Sequence, residues 1–167
     1  MATDASPQCD TSHLSDPEAV LVLDDFLPYR LSVLANRASD ALAREYSQRF
    51  ALGVTEWRVM AVLGRYPDLS ANQVAQRTAM DKVAVSRAVA RLLERELVER
   101  DTHGDDRRRS VLALSRGGRR IYDEIAPLAL ELERRLLSRL DRDERAALDA
   151  LLDKLADGIE HLADAPP

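Results

Sequence analysis

The chain has 167 residues and a formal net charge of −5; 46% of its residues are apolar and only 4% are aromatic. This apolar share excludes wholesale disorder, and a single cysteine excludes an internal disulfide, which fits a reducing cytoplasm. The start lacks the basic and apolar regions of a signal peptide, and no apolar run approaches the roughly 20 residues of a membrane span. We therefore expect a cytoplasmic protein without a membrane partner.

The first 50 residues predict a tail followed by helices. Residues 1–15 are rich in Asp, Ser, Thr and Pro, a composition typical of a disordered tail. The sequence Asp16-Pro17-Glu18 suits a helix start, and Pro28 interrupts or restarts that helix. Residues 28–50 predict one amphipathic helix, because apolar residues recur at three- and four-residue steps. These are Leu31, Leu34, Ala38, Ala41, Leu42, Tyr46 and Phe50.

A short helix is predicted next. Gly53 breaks the preceding pattern, and Thr55 is the expected N-cap of the new helix. Pro67-Asp68 forms the turn that ends it. The residues predicted to point inward are Val59, Met60, Val62 and Leu63.

The following residues predict a helix-turn-helix. Ser70 and Gln73 have the spacing of a capping box, which opens a helix ending near residue 77. After a turn at Ala79-Met80, Asp81 caps a helix over residues 82–95. In a helix-turn-helix the second helix enters the DNA major groove.

The helix over residues 82–95 has an apolar stripe formed by Val85, Ala88, Val89 and Leu92. Lys82, Ser86, Arg87 and Arg91 lie off this stripe and suit guanine or phosphate, while Val83 suits a thymine methyl group. The plainer alternative is a set of solvated charges on a surface helix. The charge distribution favours nucleic acid: residues 82–120 hold eleven Lys or Arg against six Asp or Glu, a net of +5 against −10 for the rest.

A basic hairpin is predicted after this helix. Strand-like residues 97–100 and 110–114 flank a connection whose tip carries Arg107, Arg108 and Arg109. A recognition helix followed by such a hairpin is the layout of a winged helix. We expect Arg108 in the minor groove, where the potential is negative, with Asp106 orienting its guanidinium. The acidic pair Asp105-Asp106 is therefore interpreted as support for the wing and not as a catalytic pair.

Two helices are predicted at the C-terminus. Ser115 caps a helix that extends to about residue 140 and bends near Pro127, and Asp141 with Glu144 caps another that extends to about residue 162. Their apolar residues exceed what one small lobe can bury, which predicts a homodimer through these helices. The alternative is a helical layer within one chain. The residues are Leu128, Leu132, Leu136, Leu137, Leu140, Leu148, Leu151, Leu152 and Leu155.

These motifs resemble those of the MarR family of bacterial transcription regulators. The family's wing has Asp, one residue, Arg, five residues and then Leu-Thr; Asp106, Arg108 and Leu114-Ser115 keep that spacing, with Ser for Thr. The similarity extends to Asp81-Lys82 and Val85-Ser86-Arg87 and to residues 54–58, and it covers roughly residues 26–155. Glu96 departs from the glycine that many members have at the end of the recognition helix, which predicts either local strain at Glu96 or a different ending of the helix.

The resemblance implies a mostly α fold: a winged helix-turn-helix lobe with a small β-hairpin wing, and terminal helices that intertwine in a dimer. The domains are then a tail over residues 1–15, N-terminal dimerisation helices over 16–50, the DNA-binding lobe over 51–115 and C-terminal dimerisation helices over 116–163. It also implies a homodimer that binds a palindromic operator in double-stranded DNA, more commonly as a repressor, with neither an enzymatic activity nor a cofactor.

The resemblance also implies a small effector. Residues 26–32 are similar to a branch that controls aromatic-acid catabolism, in which the effector is an aromatic carboxylate or its coenzyme A thioester. Aromatic rings supply a flat apolar wall and Arg pairs with carboxylate or phosphate. The plainer alternatives are core packing for Trp57 and a brace in the dimer for Arg30 and Arg37. The candidate ligand residues are Tyr29, Arg30, Arg37, Trp57 and Arg58.

Other functions are less well supported by the sequence. Cys9 defines an alternative, a redox-sensing regulator, but it has no nearby cation to activate its thiol. His13, His103 and His161 are isolated and predict no metal site. There is no Gly-rich phosphate loop or nucleophile motif, so we expect no enzyme. A helical protein-interaction module without DNA function remains a third class.

Overall fold

The computed structural model of the protein describes residues 20–102 and 110–164. The described part is mostly helical with one two-stranded antiparallel sheet, which confirms the predicted fold class. A 3-10 turn, Leu137–Arg139, separates the last two α-helices. The elements are α1 Leu27–Phe50, α2 Val54–Arg65, α3 Ala71–Thr78, α4 Lys82–Glu94, β1 Val98–Thr102, β2 Ser110–Leu114, α5 Arg116–Leu136 and α6 Arg142–Asp164.

The chain divides into two compact units, Met1–Arg37 and Ala38–Pro167. In the first unit a turn precedes α1, with the Asp25 amide donating to the Val22 carbonyl over 3.2 Å. Pro28 lies in the first turn of α1, where a missing N–H removes no helical hydrogen bond, so among the described residues it stands at the start of a helix and does not interrupt one. The predicted helix start at Asp16 lies outside the described residues.

The second unit has one hydrophobic core. Its helices α2 to α5, the hairpin and the end of α1 all contribute buried apolar residues. Of the residues predicted to point inward from α2, Val62 is only partly buried. The core residues are Tyr46, Leu52, Trp57, Val59, Met60, Leu63, Leu69, Val74, Ala75, Val85, Ala88, Val89, Leu92, Leu97, Val98, Leu112 and Ile125.

Helix starts follow the predicted caps with one exception. Ser70 accepts a hydrogen bond from the Gln73 amide. Asp81 accepts hydrogen bonds from the amides of Val83 and Ala84, each with a donor–acceptor distance of 2.9 Å. Ser115 accepts from the Gly118 amide over 3.0 Å. The Asp141–Glu144 capping box also forms, with its two bonds at 2.8 and 2.9 Å.

The exception is α2, where Thr55 is not the N-cap. The helix begins at Val54 with Gly53 as its N-cap, because the Glu56 carboxylate accepts the Gly53 amide over 2.7 Å. This side-chain bond at the third helical position fixes the start, and Thr55 lies inside the first turn. The prediction of a Thr55 cap was therefore wrong.

The hairpin is held to the core by Leu112. β1 and β2 pair antiparallel with Val98 opposite Leu114, and Leu112 also bridges to Leu69 through its amide over 2.9 Å. The first strand begins one residue later than predicted. Between α4 and β1, Glu96 has a φ of 54°, the left-handed conformation expected where many family members carry glycine.

The C-terminal helices differ from prediction in their boundary. α5 ends at Leu136 and not near residue 140, since the chain tightens into the 3-10 turn; Pro127 lies inside α5. Every side chain of α6 from residue 142 to residue 162 is exposed.

Candidate nucleic-acid interface

The recognition helix α4 presents two different faces. Val85, Ala88, Val89 and Leu92 are all buried, as the sequence predicted. The predicted DNA-contacting residues occupy the other side: Lys82, Ser86, Arg87 and Arg91 are exposed, and Val83 is 56% exposed. Because the buried side holds the helix in the core, the exposed side presents a fixed array of cationic and small groups.

The cations on α4 differ in their surroundings. Lys82 and Arg87 form no hydrogen bond or ion pair with any residue in the described parts of the chain. Arg91 is different, because its Nη1 lies 3.9 Å from the Oε1 of Glu56 and its side chain is 68% exposed. Lys82 and Arg87 are thus available to an external acceptor, and Arg91 is loosely held.

A pocket of about 240 Å³ lies between the first turn of α2 and α4. Arg87 and Arg91 line it from the recognition helix, opposite Glu56. Its chemistry is mixed, since two guanidinium groups face one buried carboxylate. The other lining residues are Gly53, Val54, Thr55, Ala84 and Ala88.

The tip of the hairpin lies outside the described residues. This applies to the predicted DNA contacts Asp106, Arg107, Arg108 and Arg109. What the structure provides is the base of the wing, two paired strands anchored through buried Leu112. The roles assigned to the tip residues remain predictions.

Three predicted ligand residues line one pocket in the first unit. Tyr29, Arg30 and Arg37 surround a pocket of about 330 Å³, together with Asp24, Val33 and Leu34. Two guanidinium groups and one aromatic ring therefore face the same space. The carboxylate of Asp24 partly offsets their charge.

The other two ligand candidates, both in the second unit, have different surroundings. Trp57 is 7% exposed and packs in the core, stacked on Tyr122 at 5.9 Å and tilted against Tyr46 at 5.8 Å between ring centroids. Arg58 donates from Nη2 to the Ser39 hydroxyl over 2.7 Å. The core-packing interpretation of Trp57 is thus confirmed.

Sequence reasoning missed an aromatic pocket on α5. Trp57 and Tyr122 line a space of about 390 Å³ in which the one charged lining residue is Glu133. Small residues at four- and three-residue steps on α5 were the signal that could have revealed it. The remaining lining residues are Ala61, Ala126, Ala129 and Leu130.

Tyr46 packs against the Trp57 ring. Its side chain is fully buried, and its hydroxyl has no hydrogen-bond partner among the described residues. Burial raises the pKa of Tyr46 to about 12, against a smaller lowering by Arg58.

Within residues 20–102 and 110–164, no group of three or more His, Cys, Asp or Glu residues could hold a metal ion. His161 contacts the Asp157 carbonyl through Nδ1 at 2.6 Å on exposed α6. Cys9, His13 and His103 lie outside the described residues. None of the described helices combines the length and apolarity needed to cross a bilayer.

The helices α3 and α4, followed by the β1–β2 hairpin, define a winged helix-turn-helix protein. The family description that matches residues 52–109 is the MarR family. The chain is 30% identical over 93 residues to the HTH-type transcriptional regulator BilQ of Clostridium symbiosum, a match that covers 56% of this chain and 65% of BilQ. The matched part thus spans just under two thirds of that relative.

Solved structures extend the similarity over most of the chain. A MarR/EmrR family transcriptional regulator from Acinetobacter sp. ADP1 is 30% identical with a TM-score of 0.77, covering 84% of this chain and 99% of that one. A mutant MarR from E. coli complexed with operator DNA is 25% identical with a TM-score of 0.68, covering 81% and 99%. The chain belongs to the MarR family, whose members are transcriptional regulators and not enzymes; this confirms the expectation that it is no enzyme.

Proposed function

We propose that this protein is a cytoplasmic, dimeric transcriptional regulator that binds a palindromic operator through α4 and represses the adjacent genes. The observation that carries the proposal is the exposed face of α4, where Lys82, Ser86 and Arg87 stand on a helix whose opposite face is buried. The similar fold of the E. coli MarR that was solved with operator DNA supports it. The two recognition helices would enter successive major grooves about one helical turn apart.

The dimer is supported by an apolar face on α6 that is exposed in the described part of the chain. Its leucines follow one stripe, and Leu151 is 57% exposed although it is a large apolar residue. Burial of such side chains would stabilise a dimer by about 25 cal/mol for each Å² of apolar surface removed from water. A second copy of the chain is therefore the natural partner of this face. The same face includes Leu148, Leu152, Leu155, Ile159 and Leu162.

The dimer can be tested with a matched pair of variants. Leu151→Glu places a charge on the apolar stripe and should shift the protein towards monomer in analytical ultracentrifugation. Ala150→Glu adds the same charge on the opposite side of α6 and should leave the dimer intact. A dimer that survives Leu151→Glu would show that the apolar stripe of α6 is not the dimer interface.

We further propose that an aromatic carboxylate or its coenzyme A thioester is the effector, bound in the pocket of Tyr29, Arg30 and Arg37. Two guanidinium groups beside a ring suit an aromatic anion. Arg58 is a weaker candidate because Ser39 already accepts its hydrogen bond. Titration of benzoate-type acids and their thioesters should lower operator affinity, and Arg30→Ala should weaken this response more than Arg58→Ala.

DNA binding is tested by selecting duplexes from the source genome and measuring their affinity against salt. A DNA-binding regulator should show a steep fall of log affinity with log salt. The double variant Lys82→Ala/Arg87→Ala should no longer select particular duplexes. The control Arg134→Ala/Arg135→Ala loses the same charge and should select the same duplexes as the wild type. Salt-insensitive or absent DNA binding would favour a protein-interaction module.

Repression and the redox alternative need separate tests. In vitro transcription from a promoter that contains a selected duplex should fall on adding the protein. A rise would assign an activator. If oxidant released the protein from DNA and Cys9→Ser abolished that release, the redox-sensing alternative would replace the aromatic effector.

A further inference from the structure

Side chains at the C-terminal end of α4 contact the corner between α1 and α2, residues 50–56. α1 ends at Phe50, and Ala51 then adopts a left-handed φ of 50°. The last carbonyls of a helix have no partner within the helix. Arg95 supplies two donors here: its Nη1 donates to the Ala51 carbonyl at 2.8 Å and its Nη2 donates to the Phe50 carbonyl at 2.6 Å.

The chemistry of this contact favours arginine. The planar guanidinium presents two donors in a fixed fork, which here bridges two successive carbonyls. A cation at a helix C-terminus also interacts favourably with the helix dipole. A lysine at the same position has a single ammonium group and cannot reproduce the fork.

One turn earlier on α4, Arg91 contacts the same corner. Its partner Glu56 is 7% exposed and also accepts the Gly53 amide over 2.7 Å. A buried carboxylate is costly unless it is hydrogen-bonded or paired. Arg95 follows the last residue of α4 and lies four positions after Arg91, and both arginines contact the corner.

We propose that Arg95, assisted by Arg91, is a positioning residue that fixes the angle between the C-terminal part of α1, residues 38–50, and the recognition helix and so sets the operator spacing that the dimer accepts. This inference rests on the proposed function. If the C-terminal part of α1 belongs to the dimer interface, the distance between the two recognition helices depends on how firmly α4 is tied to residues 38–50.

The expected consequence is a particular kind of lost specificity. One extra base pair separates the half-sites by about 3.4 Å and rotates one by about a tenth of a turn. A dimer with firmly held recognition helices binds such a duplex poorly. Without the Arg95 fork, α4 gains freedom and the penalty for wrong spacing falls.

The test uses the duplex that the wild-type protein selects from a random-sequence library, and versions with one central base pair added or removed. For each protein the measurement is the affinity ratio between correct and altered spacing. This ratio cancels any uniform effect of losing one positive charge. We expect Arg95→Ala to reduce the ratio at least about threefold and Arg95→Lys to reduce it less.

Arg49→Ala is the matched control. Arg49 pairs with Glu124 of α5 and lies over the Phe50 ring at 4.8 Å, but among the described residues it forms no hydrogen bond or ion pair with α4, so its loss leaves both Arg95 hydrogen bonds in place and the ratio unchanged. If Arg95→Ala lowers affinity by the same factor at every spacing, the inference is wrong and Arg95 affects stability or phosphate binding alone. If Arg95→Ala does not fold, the Arg95→Lys ratio decides, and an unchanged value overturns the inference.

The same experiment separates the two claims. If the wild-type protein selects no duplex, the proposed function fails, and this inference with it. If the wild type selects a duplex and discriminates spacing, but both Arg95 variants discriminate equally well, the inference alone fails.

Discussion

A Cβ atom on Gly118 would lie 1.9 Å from the carbonyl oxygen of Leu97. The first turn of α5 therefore packs directly on the backbone that leads into the hairpin. The Ser115 cap assists this contact, since its hydroxyl donates to the Glu96 carbonyl over 2.6 Å. The base of the wing and the start of α5 are thus one packed unit.

Gly118→Ala should destabilise the protein by about 2–3 kcal/mol, because the backbone of one element must move away from the other. Thermal or urea unfolding measures this. Gly117→Ala is the control: its Cβ would have no neighbour closer than 3.6 Å, so it should be neutral or slightly stabilising. Equal effects of the two substitutions would contradict the close contact.

Glu96→Gly should stabilise the protein by about 0.5–1 kcal/mol, because a left-handed φ costs glycine less than glutamate. The hydrogen bond that Ser115 donates uses the backbone carbonyl of residue 96 and survives the change. Glu94→Gly, within α4, should instead destabilise. If the urea midpoint moved in the same direction in both variants, the backbone strain at Glu96 would not contribute measurably to the free energy of unfolding.

The helix starts and the buried face of α4 show which parts of the fold are predictable from sequence. Ser70, Asp81 and Ser115 cap their helices as predicted because each bond joins residues two or three positions apart. The buried stripe of α4 follows from helical periodicity in the same way. The prediction of Thr55 as an N-cap failed because the Glu56 side chain accepts a hydrogen bond from the Gly53 amide and so starts the helix at Val54.

The candidate site was predictable only in part. Which residues of α4 are exposed follows from periodicity, but the partners of Arg95 are 44 and 45 residues away in sequence. Trp57 and Tyr122, on different helices, meet for the same non-local reason. Such contacts depend on how helices pack, which no local pattern encodes.

Gly64 and Tyr122 make a second close contact. A Cβ on Gly64 would meet Tyr122 ring atoms at 2.4–2.8 Å, so Gly64→Ala must displace the ring from its stack on Trp57. We expect a loss of about 1–3 kcal/mol and a change in the fluorescence of Trp57, the single tryptophan. In a Tyr122→Ala background the same substitution should cost much less. Additive effects in this double-mutant cycle would contradict the contact.

The buried Tyr46 hydroxyl predicts how stability depends on pH. Its pKa is raised to about 12 in the folded protein, so between pH 10 and 12 the unfolded chain loses the proton first. Stability should therefore fall as pH rises through this window, by up to about 1.4 kcal/mol per pH unit from this group. Tyr46→Phe should remove this contribution and cost little at neutral pH, since the hydroxyl has no partner among the described residues. An unchanged slope in the variant would assign the pH dependence to other groups.

Arg87 should determine which bases the protein prefers. Its exposed guanidinium has no partner within the described residues, so it can form two hydrogen bonds to a guanine, a contact worth about 1–3 kcal/mol. Arg87→Ala should therefore relax the selected sequence at one symmetric pair of operator positions. Lys82→Ala, which removes a point charge at the start of α4, should weaken binding to all duplexes alike and reduce the salt dependence. Selection from a random library with each variant separates the two outcomes. If Arg87→Ala weakens every duplex by the same factor, Arg87 binds phosphate, and base recognition must come from Val83, Ser86 or the wing.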